Sequence, residues 1–318
     1  SYSLIFQKSF TNRHAMQGII TLLLILTPMF VGFALPNSKK STHLAERGLN
    51  YLVFIILVVI GMELGLVDDL QHKLANIALY LSVLMALTIG SGLMALAVFD
   101  RLSPCQYRSQ PSPTAKPNVS IHGSLTQILC LAMGFVVAKF LPATWHPPEK
   151  TTTVLLMLLL FLVGISLKGS GVSLKQALLN KRGLQISLIF MGVTLLSGVL
   201  FALLFDDVSV AQGLALSSGF GWYSLSGTIM TDAYGAVWGS VALLNDLGRE
   251  VLALIFIPWV MRHSSSAAIG LGGVTSLDFT LPTLTQAGGA SILPLVIGFG
   301  CITNLVSPIL MVFFASLS

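Results

Sequence analysis

Charged side chains are scarce in this chain of 318 residues, where Asp, Glu, Lys and Arg together make up 9% of the sequence. Water-soluble domains usually carry about 25% charged residues, so this chain has too few charges to cover a water-facing surface. Hydrophobic residues make up 54% of the sequence, and the mean hydropathy is +0.87. These values exclude an ordinary soluble domain and indicate a membrane protein.

Cysteine is scarce as well, with three residues, Cys105, Cys130 and Cys301, that form no CxxC pair. Their spacing predicts neither a disulfide framework nor a zinc site. The sequence also lacks the HExxH, GxSxG, P-loop and GxGD motifs, so it shows no signature of a metal-dependent, acyl-transfer or nucleotide-dependent enzyme. We therefore expect no enzyme activity, no catalytic residue, no metal and no cofactor.

Long apolar runs are abundant. They fall at about 17–35, 51–67, 77–99, 122–141, 151–167 and 184–205. Several of them are near the roughly 20 residues that cross the hydrocarbon core of a bilayer as a helix. The runs lack the alternation of apolar and polar residues that strands of a membrane barrel show. The sequence therefore predicts an all-α polytopic membrane protein that lies in the lipid bilayer.

The loops between these runs differ sharply in basic content. Three alternate loops hold Lys39, Lys40, Arg47, Arg101, Arg108, Lys116, Lys168, Lys175, Lys181 and Arg182, whereas the opposite loops hold Lys73 and Lys150. Because cytoplasmic loops carry the excess of Lys and Arg, the three basic loops, 36–50, 100–121 and 168–183, are predicted to face the cytoplasm, with the N-terminus outside. The net charge of +5 then reflects loops rather than a nucleic-acid-binding surface.

Two parts of the chain resemble each other at a nearly constant spacing. The stretch "FIILVVIGMELG" resembles "MLLLFLVGISLKG", which aligns Gly61 with Gly164. In the same way, "VGF" at 31–33 matches "MGF" at 133–135. Each unit would contain three spans, and an odd number of spans reverses the second copy relative to the first. The sequence therefore predicts an inverted three-helix repeat, as in many secondary transporters.

The last third of the chain contains two apolar segments that are broken by glycines and hydroxyl residues, near 210–235 and 269–289. Irregular backbone at membrane depth is tolerated only where protein or a wet cavity surrounds it. We therefore predict two re-entrant or discontinuous elements there. They alternate with full spans at about 236–261 and 291–316, which gives about eight transmembrane helices with both termini outside.

These observations predict the organisation of the whole chain. It comprises an N-terminal extension or cloning remnant at 1–16, a first three-helix repeat at 17–99, a cytoplasmic loop at 100–121, a second three-helix repeat at 122–205, and a C-terminal transport region at 206–318.

Two of the twelve acidic residues lie deep in apolar sequence. Glu63 follows twelve uncharged residues, and Glu250 lies in "NDLGREVLALIFIPW". Ionisable residues inside spans usually face a cavity or a partner, and the alternative is an internal ion pair, such as Glu250 with Arg249. Asp246 lies four residues before Glu250 and shares its helix face, whereas Arg249 is about 100° away. Stacked carboxylates repel each other unless a cation or proton lies between them. Asp246, Glu250 and the adjacent Asn245 therefore predict a cation or proton site, with Glu63 as partner and Arg249 pointing elsewhere.

The stretch "SSGFGWYSLSG" at 217–227 combines glycines with an aromatic pair. It is either a packed helix kink or a site where a ligand approaches the backbone, with free N–H groups that attract a carboxylate. The residues assigned to the site here are Ser218, Gly219, Gly221, Trp222 and Tyr223. In "TSLDFTLP", Asp278 either joins the site or caps the start of a helix.

Four stretches closely resemble one known family. "SGFGWYSLSG", "NDLGRE", "TSLDFTLP" and the "GISLK…LNKRG" region are similar to the LysO-type lysine exporters of bacterial inner membranes, over a resemblance that runs from about residue 17 to the C-terminus. The resemblance implies export of L-lysine and its toxic analogues, with acids in the second span and in the "NDLxRE" span. Glu63 and Glu250 match those positions, although Asp68 is an alternative counterpart in the second span.

Residues and resemblance together predict a secondary transporter of the bacterial inner membrane that exchanges lysine for protons. Outward movement of a cation opposes an inside-negative potential by about 2.3 kcal/mol per 100 mV, so export needs a counter-ion, and we expect H⁺. Two alternatives stay open, a transporter of another organic cation or amino acid and a non-transporting membrane sensor. The sequence is also compatible with a homo-oligomer.

Overall fold

The computed structural model describes residues 26–36, 38–67, 70–104, 122–142, 146–148, 150–169 and 180–317. Within these ranges every regular element is a helix, and no strand occurs. The prediction of an all-α chain is thus confirmed for the described residues. The predicted extension at 1–16, most of the loop 100–121, and Asp68 lie outside them.

The helices follow one another in chain order. They are α1 (26–34), α2 (Lys39–Gly65), α3 (Leu70–Leu102), α4 (His122–Phe140), α5 (Thr151–Gly169), α6 (Lys181–Leu204), α7 (Val210–Ser217), α8 (Tyr223–Tyr234), α9 (Ala236–Met261), α10 (Ser265–Gly272), a 3₁₀ turn (Gly273–Leu277), α11 (Leu281–Gly288), a short 3₁₀ turn (Ala290–Ile292) and α12 (Leu293–Ala315).

Four described helices are long and apolar enough to cross a membrane. They are α2, the part Leu74–Leu102 of α3, α6 and α12. Shorter apolar helices run over Leu125–Phe140, Thr151–Ser166 and Ser265–Leu277. The chain is therefore a multi-pass helical membrane protein, and the number of eight crossings stays a prediction.

Helix α2 begins earlier than the apolar run predicts. Residues 39–50, expected in a loop, form its first turns, because Ser38 and Ser41 close a capping box at its start. The Ser41 N–H donates to Ser38 Oγ at 3.3 Å, and the Ser38 N–H donates to Ser41 Oγ at 3.2 Å. These bonds satisfy backbone donors that a helix end leaves free, so the helix extends beyond its apolar part. The expected loop boundary at residue 50 is wrong.

Four glycines bring helices into close contact in matched pairs. Gly61 on α2 and Gly134 on α4 lie against each other's helix, and Gly32 on α1 and Gly164 on α5 do the same. A Cβ at any of the four would overlap a backbone carbonyl oxygen of the opposing helix. Small residues allow this approach between membrane helices. The glycines that align in the predicted repeat thus make equivalent contacts.

The two glycine-rich segments of the C-terminal third are broken, as predicted. Between α7 and α8 the chain turns through Phe220 and Gly221, whose φ angles are 52° and 100°. The second segment begins at Ser265, four residues before the predicted start, and breaks after α10 at Gly273, with a φ of 57°. Positive φ is strained for residues other than glycine, so the Phe220 conformation must be held by its surroundings.

The two breaks bond directly to each other and to α12. The Val274 N–H donates to the Phe220 carbonyl at 2.9 Å. On α12, Ser307 Oγ donates to the Ser218 carbonyl at 2.8 Å, and Asn304 Nδ2 donates to the Val274 carbonyl at 3.0 Å. Broken helices leave backbone groups without helical partners, and these contacts satisfy several of them inside the protein.

Candidate functional site

Helix α9 carries four polar residues into the protein interior beside the first break. Asn245, Arg249 and Glu250 are each 2% exposed, and Asp246 is 1% exposed. The expectation that Arg249 points away from the carboxylates is wrong. Because Arg249 lies three residues after Asp246, the two side chains project from neighbouring positions of the helix, and both reach the 219–221 turn.

Asp246 faces the backbone of the first break. Its Oδ2 atom occupies the space that a Cβ on Gly219 would need. Its Oδ1 atom accepts a hydrogen bond from Asn245 Nδ2 at 3.1 Å. The carboxylate lies close to the Gly221 N–H and the Ser226 hydroxyl, and its Oδ2 atom has no hydrogen bond of regular geometry with a described residue. The anion that faces the predicted N–H groups is therefore a side chain of the protein itself.

Arg249 lies where the two breaks meet. Its Cδ atom would be 3.1 Å from a Cβ on Gly221 and 3.5 Å from one on Gly273. Its guanidinium carbon is 5.5 Å from the ring centroid of Phe190, a cation–π distance. In the described part of the chain it forms no salt bridge with Asp246, and its Nε atom has no hydrogen-bond partner.

Glu250 belongs to a second group around Tyr223. Tyr223 lies within electrostatic range of both Glu250 and Asp278. Its hydroxyl accepts a hydrogen bond from Gln127 Nε2 at 2.6 Å. This group joins α9 to the start of α8, to α4 and to the turn before α11, so carboxylates from two separate segments lie within electrostatic range of one aromatic hydroxyl.

Asp278 does not cap the helix that follows it. The N-cap position of α11 is Thr280, with no side-chain cap bond, while Asp278 Oδ1 accepts from the adjacent Phe279 N–H at 2.5 Å. Of the two interpretations of Asp278, helix capping is therefore wrong.

Glu63 lies in a different group. Its Oε1 atom accepts a hydrogen bond from Thr152 Oγ1 at 2.5 Å, and its carboxylate faces Asp232. The neighbouring Thr153 hydroxyl donates to Asp232. Glu63 thus lies with Thr152 and Asp232, and its pairing with Glu250 stays a prediction.

The structure therefore gathers most of the predicted site residues and separates one. The place where the break between α7 and α8 meets the break after α10 is called the crossing of the breaks. The predicted site residues around it are Ser218, Gly219, Gly221, Trp222, Tyr223, Asn245, Asp246, Glu250 and Asp278. Four residues near the predicted site were not predicted from the sequence. They are Arg249 in this group, Asn304 and Ser307 on α12, and Asp232 beside Glu63. Asp232 was predictable as a candidate, because it is an acidic residue inside the broken segment near 210–235.

A third polar group lies at the end of α3. Asp100 accepts from Arg182 Nη2 at 2.5 Å and from the Ser266 N–H at 2.9 Å, and also from the Ser264 and Ser266 hydroxyls. The carboxylate thus bonds the first turn of α10 and ties it to the ends of α3 and α6, which is a structural role.

A cavity of about 370 Å³ lies elsewhere, at the start of α2, lined by Lys39, Thr42, His43, Glu46 and Gly169.

Charged side chains buried beside discontinuous membrane helices are typical of secondary transporters, and this chain shows both features. The family model described as "Lysine exporter LysO" matches residues 128–315. The chain is also 37% identical over 300 residues to the protein named "Lysine exporter LysO" of Escherichia coli strain K12, which covers 93% of this chain and 99% of that protein.

A second relative is the protein of Haemophilus influenzae named "Putative lysine exporter". It is 45% identical over 193 residues, which cover 60% of this chain and 98% of that protein. No solved structure matches the chain. This chain belongs to the lysine exporter LysO family, which is a family of transporters and not of enzymes.

Proposed function

We propose that this protein exports L-lysine and its toxic analogues across the bacterial inner membrane. The observation that carries the proposal is the burial of Asp246 and Glu250 on one helix, beside two broken segments, in a chain of this family. Charged residues are rare inside membrane proteins and mark substrate or ion pathways. A cationic amino acid matches the excess of carboxylates around the breaks.

Coupling to protons supplies the driving force in this proposal. Moving one positive charge outward against the membrane potential costs about 2.3 kcal/mol per 100 mV. A buried carboxylate favours its neutral, protonated form, and a nearby cation favours the charged form. Arrival of lysine at Glu250 would therefore release a proton, and departure of lysine would allow another to bind. One proton per lysine makes the exchange electroneutral.

The scaffold that we propose is the inverted repeat with eight crossings and both termini outside. The matched contacts of Gly61 with α4 and of Gly164 with α1 support it, because a two-fold relation between the units places equivalent glycines in equivalent contacts. In such scaffolds the substrate site lies near the bilayer midplane beside discontinuous helices. The position of Asp246 and Glu250 well inside α9 agrees with that geometry.

The test is counterflow of radiolabelled lysine into proteoliposomes that contain the purified full-length chain. We expect uptake of label against unlabelled internal lysine, and acceleration by an imposed pH gradient but not by a sodium gradient. Liposomes without protein and liposomes with Glu250→Gln protein serve as controls. Absence of lysine counterflow would refute the proposed substrate, and equal response to both gradients would refute proton coupling. Flux of other organic cations without lysine would favour the alternative transporter.

A further inference from the structure

One turn of α9 carries three buried polar atoms that have no hydrogen bond of regular geometry with a described residue. Asn245 Oδ1, Asp246 Oδ2 and Arg249 Nε all lack a hydrogen bond within the described residues, and their side chains are at most 2% exposed. Two of the atoms are acceptors, and the third is a donor on a cation. The turn thus presents a negative and a positive group side by side.

The neighbouring protein groups satisfy these three atoms only in part. An unsatisfied buried polar group costs about 1–3 kcal/mol, and more when it is charged. Asp246 and Arg249 sit three residues apart on the helix, where opposite charges are able to pair, yet the described chain shows no salt bridge between them. Both are held against the turn instead, Asp246 at Gly219 and Arg249 at Gly221. A ligand with one anionic and one cationic group would satisfy both.

We propose that this turn binds the head group of the transported amino acid, with Arg249 holding the α-carboxylate. Asp246 Oδ2 and Asn245 Oδ1 accept hydrogen bonds from the α-ammonium group. Guanidinium groups suit carboxylates because their planar set of donors matches the two oxygens. The inference rests on the proposed export of an amino acid and assigns a role to Arg249 that family membership does not supply.

The second group is placed to receive the side chain of the substrate. Glu250 lies one turn beyond Asp246, which is about 6 Å along the helix axis, and it shares the Tyr223 surroundings with Asp278. An extended lysine side chain carries its ammonium about 6 Å from the α-carbon. The arrangement therefore selects a zwitterion with a cationic tail over a simple diamine, which lacks the carboxylate that Arg249 binds.

The experiment compares ligands as well as protein variants. Binding of tritiated lysine to the purified full-length chain is competed with lysine, with lysinamide and with 1,5-diaminopentane, which lacks the carboxyl group. In the parent protein we expect the diamine and the amide to bind about 10- to 100-fold more weakly than lysine. In Arg249→Gln, the affinity for lysine should fall to that for the diamine. The affinity for the diamine should stay within about twofold of its value in the parent protein.

The control is Arg262→Gln, which removes an exposed arginine just after the same helix. It should keep the preference for lysine over the diamine. A purely structural Arg249 would weaken all ligands in parallel when replaced, and that result would overturn the proposal. Thermal unfolding of each variant is measured alongside. If Arg249→Gln does not fold, Arg249→Lys replaces it, because it keeps the charge but loses the planar set of donors. Arg249→Lys should retain an intermediate preference for lysine over the diamine.

The ligand series separates this proposal from the proposed function. If the parent protein neither binds nor moves lysine, the assignment of the substrate fails. If it transports lysine but the diamine and lysinamide compete as strongly as lysine does, export stands and the carboxylate role of Arg249 fails.

Discussion

At the scale of single residues, the described interior holds two opposite charges, Asp246 and Arg249, that interact electrostatically but form no salt bridge. Asp246 and Arg249 are both almost fully buried, whereas the ion pair of Arg182 with Asp100 lies at the end of its helices. Burying charges is costly, and replacing a buried pair of opposite charges by neutral groups often leaves a fold as stable or more stable. Stability therefore gives little reason to bury Asp246 and Arg249, which agrees with the role in transport that we propose for this site.

Neutralising Glu250 should separate transport from stability. Glu250→Gln keeps the shape of the side chain and removes its charge, so we expect loss of proton-coupled lysine export together with unchanged or higher thermal stability. Glu63→Gln should also impair export, but through the group with Thr152 and Asp232. The measurements are lysine efflux and thermal unfolding of each purified variant. Full export by Glu250→Gln would refute its role, and loss of folding would favour a structural ion pair.

The close approach of Gly219 to Asp246 gives a steric prediction. A Cβ at position 219 would overlap Asp246 Oδ2, so Gly219→Ala should displace that carboxylate and reduce lysine transport at least tenfold, while the protein still inserts and folds. The matched control is Gly192→Ala on α6, where a Cβ meets nothing within 4 Å. It should transport lysine at the parent rate. Normal transport by Gly219→Ala would mean that the turn is a packing kink only.

At the scale of elements, the crossing of the two breaks depends on α12. Asn304 and Ser307 lie three residues apart and project to one side of that helix, where each satisfies a carbonyl group of a different break. The breaks themselves are joined by the bond from the Val274 N–H to the Phe220 carbonyl. Helix α12 thus fixes the relative position of the segments that carry the site.

Removing one of these bonds should loosen the crossing. Ser307→Ala leaves the Ser218 and Gly219 carbonyls without their side-chain donor, and we expect a loss of about 1–3 kcal/mol in stability with a lower rate of transport. The control is Ser316→Ala, because the hydroxyl of that half-buried serine bonds only the preceding turn, at Phe313. Thermal unfolding and lysine counterflow check the prediction. Equal behaviour of the two variants would show that α12 does not hold the breaks.

The sequence predicted the elements better than their contacts. Apolar runs of span length require helices in a membrane, and glycine-rich polar segments cannot remain continuous helices there, so both features were predictable. Hydropathy does not report where a capped helix begins outside the bilayer, so it predicts a start of α2 that is later than the observed one at Lys39. The partners of Glu63 and Arg249 depend on which helices meet in three dimensions, and no local pattern in the chain contains that information.

At the scale of the whole molecule, the orientation that we propose rests on the charge asymmetry of the loops. Basic loops stay on the cytoplasmic side because Lys and Arg resist translocation. The ion pair of Arg182 with Asp100 and the first turns of α2 would then lie on the cytoplasmic side, while Glu63 and Asp232 would lie toward the outside. The α9 site would lie between these two ends, as alternating access from either side requires.

The orientation is tested by single cysteines in a chain whose native Cys105, Cys130 and Cys301 are replaced by serine. Ser112→Cys should react with a membrane-impermeant maleimide only after the inner membrane is opened, because the loop 100–121 is predicted to be cytoplasmic. Pro147→Cys, between α4 and α5, should react in intact spheroplasts. The serine-replaced chain must still export lysine for the result to count. Labelling of both positions from one side would refute the inverted arrangement of the two repeats, since α4 alone separates these positions and must cross the membrane between them.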